Sequence, residues 1–354
     1  MSDQADNTRV PEPPRTPGES ANRPENAVPE GMVVFSPRGG GSEPLSMGKA
    51  FAWCVAAGAC AGIMPLIAPL FVGLGYAVLA GAGGMRERVL AAACCVIPAV
   101  LIALLLQFAG VVDALIACIV GVVGSHLYLR GKLTPGTACI SVALVAALFF
   151  ALSEAAARLA GTTLADQFAL AIDAYLDGLK GLSIDADLQV ARVRTLIDAI
   201  WPTAFVMIVF IGFVPSIMGA KIGARRQGID VGRDEPFELF DLPLWVVGAL
   251  IASIAILALR TVFPAYAHQL LMVGATLLVS LRLAFAMQGG AVLSWFKRTR
   301  GWRGLLGAVI TVVALYLELN LFVLTIVGVL DIWMNMRRLN RGGRVTVQTP
   351  DDRS

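Results

Sequence analysis

Hydrophobic residues form a nearly continuous series of stretches between about Phe51 and Met334, separated by short loops that carry Arg and Lys. A helix that spans a bilayer needs roughly 20 apolar residues. Six stretches come close to that length, at 89–108, 111–129, 136–157, 201–220, 243–260 and 268–296. The pattern predicts an all-α protein, a polytopic transmembrane helical bundle.

Two further stretches are too long for one upright helix. Residues 51–83 contain Pro65 and Pro69, and because proline ends or kinks a helix, they predict two short helices with a tight turn. Residues 304–334 would measure roughly 46 Å as one helix, against about 30 Å of hydrocarbon. This last stretch can tilt as a single helix or fold as a hairpin of two short ones.

Basic residues in the loops favour the hairpin. Four loops carry twelve Arg and Lys residues, whereas the alternate loops near Gly110 and Arg260–His268 carry one. The twelve are Arg86, Arg88, Arg130, Lys132, Lys221, Arg225, Arg226, Arg233, Lys297, Arg298, Arg300 and Arg303. The positive-inside rule assigns these loops to the cytoplasm.

The basic C-terminal tail, residues 337–354, should then also lie in the cytoplasm, which requires an even number of crossings. A hairpin at 304–334 satisfies this with about ten segments, although eight or nine also fit the pattern. We therefore predict 8–10 membrane segments in a bacterial cytoplasmic (inner) membrane, with both termini inside.

Composition supports the membrane assignment. Hydrophobic residues make up 57% of the chain and charged residues 15%, whereas soluble proteins have about 45–50% apolar and 25% charged residues. The lipid bilayer is therefore the predicted environment of most of the chain. The net charge of +3 is small and the basic residues stand in small groups, so we expect no nucleic-acid partner.

Residues 1–46 differ from the rest. They hold 8 of the 18 prolines, among Ser, Gly, Asn and Glu, and such a segment buries too little apolar surface to offset its ordering entropy. We predict a disordered cytoplasmic tail, with no features of a signal peptide. The transmembrane domain is predicted at 47–336.

Residues 158–200 form the predicted extracytoplasmic insert. Apolar residues recur at helical spacing opposite aspartates at 164–179, and Thr163 with Asp166 resembles a capping box. A second amphipathic helix is predicted at 184–200. The insert can lie in the membrane interface or fold over the bundle as a lid.

Ionisable residues inside spans are costly, so each is a hypothesis for a functional site. Arg282 and Glu318 both lie in the middle of apolar stretches, and an ion pair between them would let the two charges offset each other. Such a pair could be a structural bridge or part of a substrate site. The predicted substrate-binding residues are Arg282, Gln288, Glu318 and Asn320, lining a polar cavity open to the outer face. Asp331 is expected at the cytoplasmic surface instead.

The sequence gives little support for metal binding or catalysis. The six cysteines fall inside apolar stretches without metal-ligand spacing, which is typical of buried free thiols. With two histidines in the chain, a nucleophile–base pair is not apparent. We predict no catalytic residue, no metal and no cofactor, and a role other than catalysis.

Three short segments carry a family resemblance. They read FELFDLPLW at 237–245, QGGAVLSWF at 288–296 and GVLDIWMNMR at 328–337. With them the chain resembles the YybS-like group of bacterial membrane proteins of unknown function. That group is distantly similar to the substrate-binding membrane components of energy-coupling-factor vitamin transporters. The resemblance implies small-molecule binding and supplies no catalytic residue.

Two functions follow from these observations. The first is a multi-pass membrane protein that binds or transports a small molecule through a transporter-like helical bundle. The alternative is a structural or regulatory membrane protein that binds membrane or cytoplasmic protein partners through its basic loops. The first predicts a polar cavity, and the second predicts a filled bundle centre.

Overall fold

Helices provide all the regular secondary structure in the part of the chain that the computed structural model describes. The described residues are 45–81, 83–106, 110–177, 194–229, 231, 236–302 and 304–339. The main helices are α1 (Met47–Ile63), α2 (Ala68–Ala80), α3 (Met85–Leu106), α4 (Val111–Leu129), α5 (Pro135–Leu159), α6 (Leu164–Asp177), α7 (Thr203–Arg226), α8 (Trp245–Leu259), α9 (Ala267–Thr299), α10 (Gly304–Leu321) and α11 (Val323–Met334). The all-α prediction is confirmed. The predicted tails, 1–46 and 337–354, lie outside the described residues except at 45–46 and 337–339.

Length divides the apolar helices into two classes. By length and composition, six helices in the described residues are able to cross a membrane: α3, α4, α5, α7, α9 and α10. Four shorter apolar helices, α1, α2, α8 and α11, have 12 to 17 residues. The polytopic helical bundle is thereby confirmed, with ten apolar helical segments among the described residues.

Both long hydrophobic stretches are broken, as predicted. The first is split between α1 and α2, with Pro69 in the first turn of α2. The second is split at Phe322, whose backbone adopts the left-handed conformation, with φ of 56°. That conformation is uncommon for a residue other than glycine, and the contacts described below hold it in place.

The first group of helices, α1–α5 and α7, packs partly through close backbone contacts. The apolar core of α1–α4 includes Cys54, Val72 and Cys95. At the α1–α3 contact, a Cβ on Gly58 would collide with the carbonyl oxygen of Cys95. At the α2–α7 contact, a Cβ on Gly219 would collide with the carbonyl oxygen of Leu70 in α2. Small residues let helices approach closely in this way.

A second group consists of α8, α9 and α11 around buried Val246, Phe285 and Ile332. Several side chains connect it to the first group. Cys139 of α5 packs against the second core, and Met272 of α9 packs against the core of α4, α5 and α7. These limited contacts leave a groove between the two groups.

The insert contains the predicted capping box. The backbone N–H of Asp166 donates to Thr163 Oγ1 at 3.2 Å, and the N–H of Thr163 donates to Asp166 Oδ2 at 3.3 Å. The apolar face of α6 packs on the bundle, with the Phe168 ring 5.1 Å from the Trp201 ring. Both predicted arrangements of the insert, in the membrane interface and as a lid, stay predictions. The first part of the second predicted helix, 184–193, lies outside the described residues.

Candidate functional site

The predicted ion pair forms between α9 and α10. Arg282 Nε lies 3.2 Å from Glu318 Oε1, and Arg282 Nη2 donates to the Glu318 carbonyl oxygen at 2.8 Å. Glu318 is buried, with 8% of its surface exposed. Two charges that would each be costly in an apolar environment are therefore placed against each other.

The same pair stabilises the break between α10 and α11. Glu318 accepts hydrogen bonds from the Thr325 hydroxyl at 2.7 Å and from the Thr325 backbone N–H at 2.9 Å. Because the first N–H groups of a helix have no partner within it, Glu318 acts as an N-terminal cap of α11. The Arg282 guanidinium lies 4.0 Å from the Phe322 ring centroid, a cation–π distance. The charged residues thus hold the left-handed turn in place.

The other two predicted site residues lie apart from this pair, so the four do not line one cavity in the described structure, and substrate binding by them stays a prediction. Asn320 is exposed, and its side chain donates to the Tyr316 carbonyl of its own helix at 2.8 Å. Gln288 is fully buried and belongs to a separate polar cluster. The physical reason is that each polar group finds a partner nearby and none is left to face a common cavity.

That separate group, here called the Arg337 cluster, consists of Arg337, Asp331, Gln288, Asp241 and Glu238. Arg337 Nη2 lies 2.8 Å from Asp331 Oδ2 and 3.6 Å from Asp241 Oδ1. Its Nη1 donates to the carbonyl oxygens of Glu238, at 2.6 Å, and Phe240, at 2.9 Å. Both side chains of the Arg337–Asp331 pair are 0% exposed.

Gln288, on α9, bonds to two other chain segments, α11 and the loop before α8. Its Nε2 donates to Asp331 Oδ2 at 2.9 Å and to Asp241 Oδ1 at 3.0 Å, and its Oε1 accepts from the Leu242 N–H at 3.0 Å. Glu238 also pairs with Arg298, near the end of α9. The loop before α8 is therefore fixed to α9 and to α11 by charged hydrogen bonds.

Two predictions are corrected by this cluster. Asp331 was expected at the cytoplasmic surface, and Arg337 was placed in the tail, yet both are buried. The chain turns back after α11 because Asn335 and Arg338 both adopt positive φ angles. The sequence did indicate this cluster, because each of the three segments that carry the family resemblance contributes at least one of its residues.

A groove of about 850 Å³ lies between the two helix groups in the described part of the chain. Its walls come from α5, α7, α8, α9 and the Pro236–Phe240 loop, and its surface is mainly apolar. None of Arg282, Gln288, Glu318 and Asn320 lines it. The groove is therefore distinct from the predicted polar site.

Two hydroxyl-bearing residues on α9 interrupt the apolar wall. Thr276 and Ser280 are one helical turn apart, and both line the groove. Their hydroxyl oxygens are buried and have no hydrogen-bond partner among the described residues. Because an unpartnered buried hydroxyl costs free energy, these are the polar groups of the groove best suited to gain from a ligand.

We expect Glu318→Gln to destabilise the protein by about 1.5–3 kcal/mol, the range for hydrogen bonds to charged groups. The amide cannot balance the Arg282 charge, and the cap of α11 is weakened. Asn320→Ala is the control, since Asn320 is exposed and bonds only its own helix among the described contacts. Denaturation in mixed detergent micelles measures the stability of both variants. Equal losses of stability would contradict the assigned role of the Arg282–Glu318 pair.

Comparison with models of protein families identifies the family of this chain. A family model described as "Predicted membrane protein (DUF2232)" matches residues 50–332. The chain belongs to this family. Searches of the curated proteins and of the solved structures found no match.

Membership in DUF2232 agrees with the apolar helices, and the protein is a multi-pass membrane protein. The matched range contains the Arg282–Glu318 pair, Gln288 and Asp331, and it ends before Arg337. The finer resemblances, to the YybS-like group and to vitamin transporter components, stay predictions.

Proposed function

We propose that this DUF2232 protein binds a lipid-soluble, amphipathic small molecule in the groove between its two helix groups. The role is non-catalytic, and the protein lies in a bacterial cytoplasmic membrane with both termini inside, as the loop charges predict. The observation that carries the proposal is the apolar groove of about 850 Å³. This volume falls within the range of small-molecule sites, roughly 300–1,000 Å³.

The lining supports an apolar ligand over a charged one. The charged groups of the described bundle interior are already paired with one another, so an ionic substrate would find few partners there. Ala143 and Ala147 of α5 line the groove and are exposed on the bundle surface. A ligand dissolved in the membrane can therefore enter from the side.

The two hydroxyls of α9 favour a ligand with a polar end. Ligand sites are mostly apolar with a few placed polar groups that fix orientation. A change of side-chain rotamer would bring the Thr276 or Ser280 oxygen to the groove surface, where a carbonyl or hydroxyl of the ligand would satisfy it. This selects an amphipathic molecule over a plain hydrocarbon.

Filling the groove tests the proposal. We expect Ala147→Trp to lower the occupancy of a co-purifying hydrophobic compound by roughly tenfold, because a Trp side chain occupies 150–250 Å² of contact surface. Removal of both hydroxyls, by Thr276→Val with Ser280→Ala, should weaken binding by roughly three- to tenfold, the value of one neutral hydrogen bond or slightly more. Solvent extraction of the purified protein followed by mass spectrometry provides the readout.

The matched control is Ala151→Trp, an exposed residue of the same helix outside the groove lining. It should leave occupancy unchanged. An empty groove in the wild-type protein, together with a stoichiometric protein partner, would overturn the proposal and favour the structural or regulatory role. Equal losses in Ala147→Trp and Ala151→Trp would also count against a groove site.

A further inference from the structure

A second, smaller pocket shares no lining residue with the groove. It has a volume of about 170 Å³ and is formed by the end of α2, the start of α3, the end of α4 and the segment after α7. Its polar lining consists of Tyr76, Arg88, His126 and Arg130. The loop charges assign this end of the bundle to the cytoplasm.

Among the described residues, the charged groups of the pocket lining are all positive. Arg88 and Arg130 take part in no ion pair among the described residues. In the described part of the chain, the charged groups that act on the His126 ring are Arg130, Arg88 and Lys132, all cationic. Among the described carboxylates, Glu87 is next to Arg88 in sequence, but it lies against Gly83 and Gly84 and does not line the pocket.

Tyr76 and His126 add oriented donors to the pocket lining. Tyr76 is buried, and its hydroxyl lies 3.0 Å from His126 Nδ1. With a proton on Nδ1, His126 donates to the phenol oxygen, and the phenol O–H stays free to donate to a bound group. The pocket then combines two guanidinium groups with one or two neutral donors.

We propose that this pocket binds a phosphate group, either as a free anion or as the headgroup of an anionic phospholipid. Guanidinium groups form paired hydrogen bonds with phosphate oxygens, and a phosphate offers three acceptor oxygens to several donors at once. Basic pockets between helices on the cytoplasmic side are known to bind lipid headgroups. The site is independent of the groove and of its ligand.

The test uses the full-length protein in neutral detergent, freed of lipid. Binding of inorganic phosphate is measured by titration calorimetry, and binding of phosphatidylglycerol, with phosphatidylcholine as reference, by native mass spectrometry. Arg88→Gln combined with Arg130→Gln should weaken binding by at least about tenfold, since each removes a hydrogen bond to a charged group. Tyr76→Phe should cause a smaller loss, of roughly two- to fivefold.

Arg86→Gln is the matched control, because Arg86 is exposed and lies outside the lining. If the double variant folds poorly, Arg88→Lys provides the test instead. It keeps the charge and should retain part of the affinity. Phosphate binding that depends on Arg88 supports a free anion, and phosphatidylglycerol binding without phosphate binding supports the lipid source. If neither ligand binds the wild type, or if Arg86→Gln weakens binding as much as the double variant, the site is refuted.

Discussion

Replacing Arg337 with glutamine is expected to lower the free energy of unfolding by about 3–5 kcal/mol, the usual cost of breaking a fully buried ion pair. The substitution leaves the Asp331 carboxylate without its charged partner and removes the donors to the Glu238 and Phe240 carbonyl oxygens. The loop before α8 should loosen together with the end of α11. Denaturation in mixed micelles measures the first effect, and limited proteolysis of the loop measures the second.

Arg338→Gln is the matched control, because Arg338 is the next residue, carries the same charge and is exposed. It should change stability by less than about 0.5 kcal/mol, as surface substitutions usually do. Replacing both partners, by Asp331→Leu with Arg337→Met, should restore much of the lost stability, since apolar residues can replace a buried pair. If Arg337→Gln behaved like Arg338→Gln, the burial of this cluster would be wrong.

The second large effect is expected at the crossing of α9 and α11. A Cβ on Gly289 would collide with the Leu324 carbonyl oxygen, and one on Gly328 would collide with the Phe285 carbonyl oxygen. Backbone atoms cannot move aside unless the helices separate. Gly289→Ala and Gly328→Ala should each destabilise the protein by about 1–3 kcal/mol through overpacking.

Gly248→Ala in α8 is the control, because no atom lies within 4 Å of the added Cβ. There alanine should be neutral or stabilising, by up to about 1 kcal/mol from its higher helix propensity. Thermal unfolding in detergent compares the three variants. Equal melting temperatures for Gly289→Ala and Gly248→Ala would show that α9 and α11 are not in close contact.

The buried charges have a structural role in the described part of the chain. Glu318 caps α11 beside Arg282, and Asp331 with Arg337 fixes the loop before α8. Membrane-embedded charges are often read as signs of substrate binding. Here their partners are other charges of the same chain, which is why the proposed ligand site lies in the apolar groove instead.

Hydrophobic patterning was enough to predict the helices and their breaks. Length and proline position predicted the split between α1 and α2, and the length of 304–334 indicated the break found at Phe322. The Arg282–Glu318 pair was also predictable, since two opposite charges inside apolar stretches must be neutralised. These conclusions need only the local sequence and the known thickness of a bilayer.

By itself, the sequence determined that this is a multi-pass helical membrane protein, because the apolar content and the helix lengths leave few other solutions. Only the tertiary structure showed that Gln288 joins Asp331 and Arg337, that Asn320 lies apart, and that an apolar groove separates the helix groups. The reason is that hydropathy reports whether a residue prefers lipid or water. It does not report which helix packs against which, and the cavities depend on that packing.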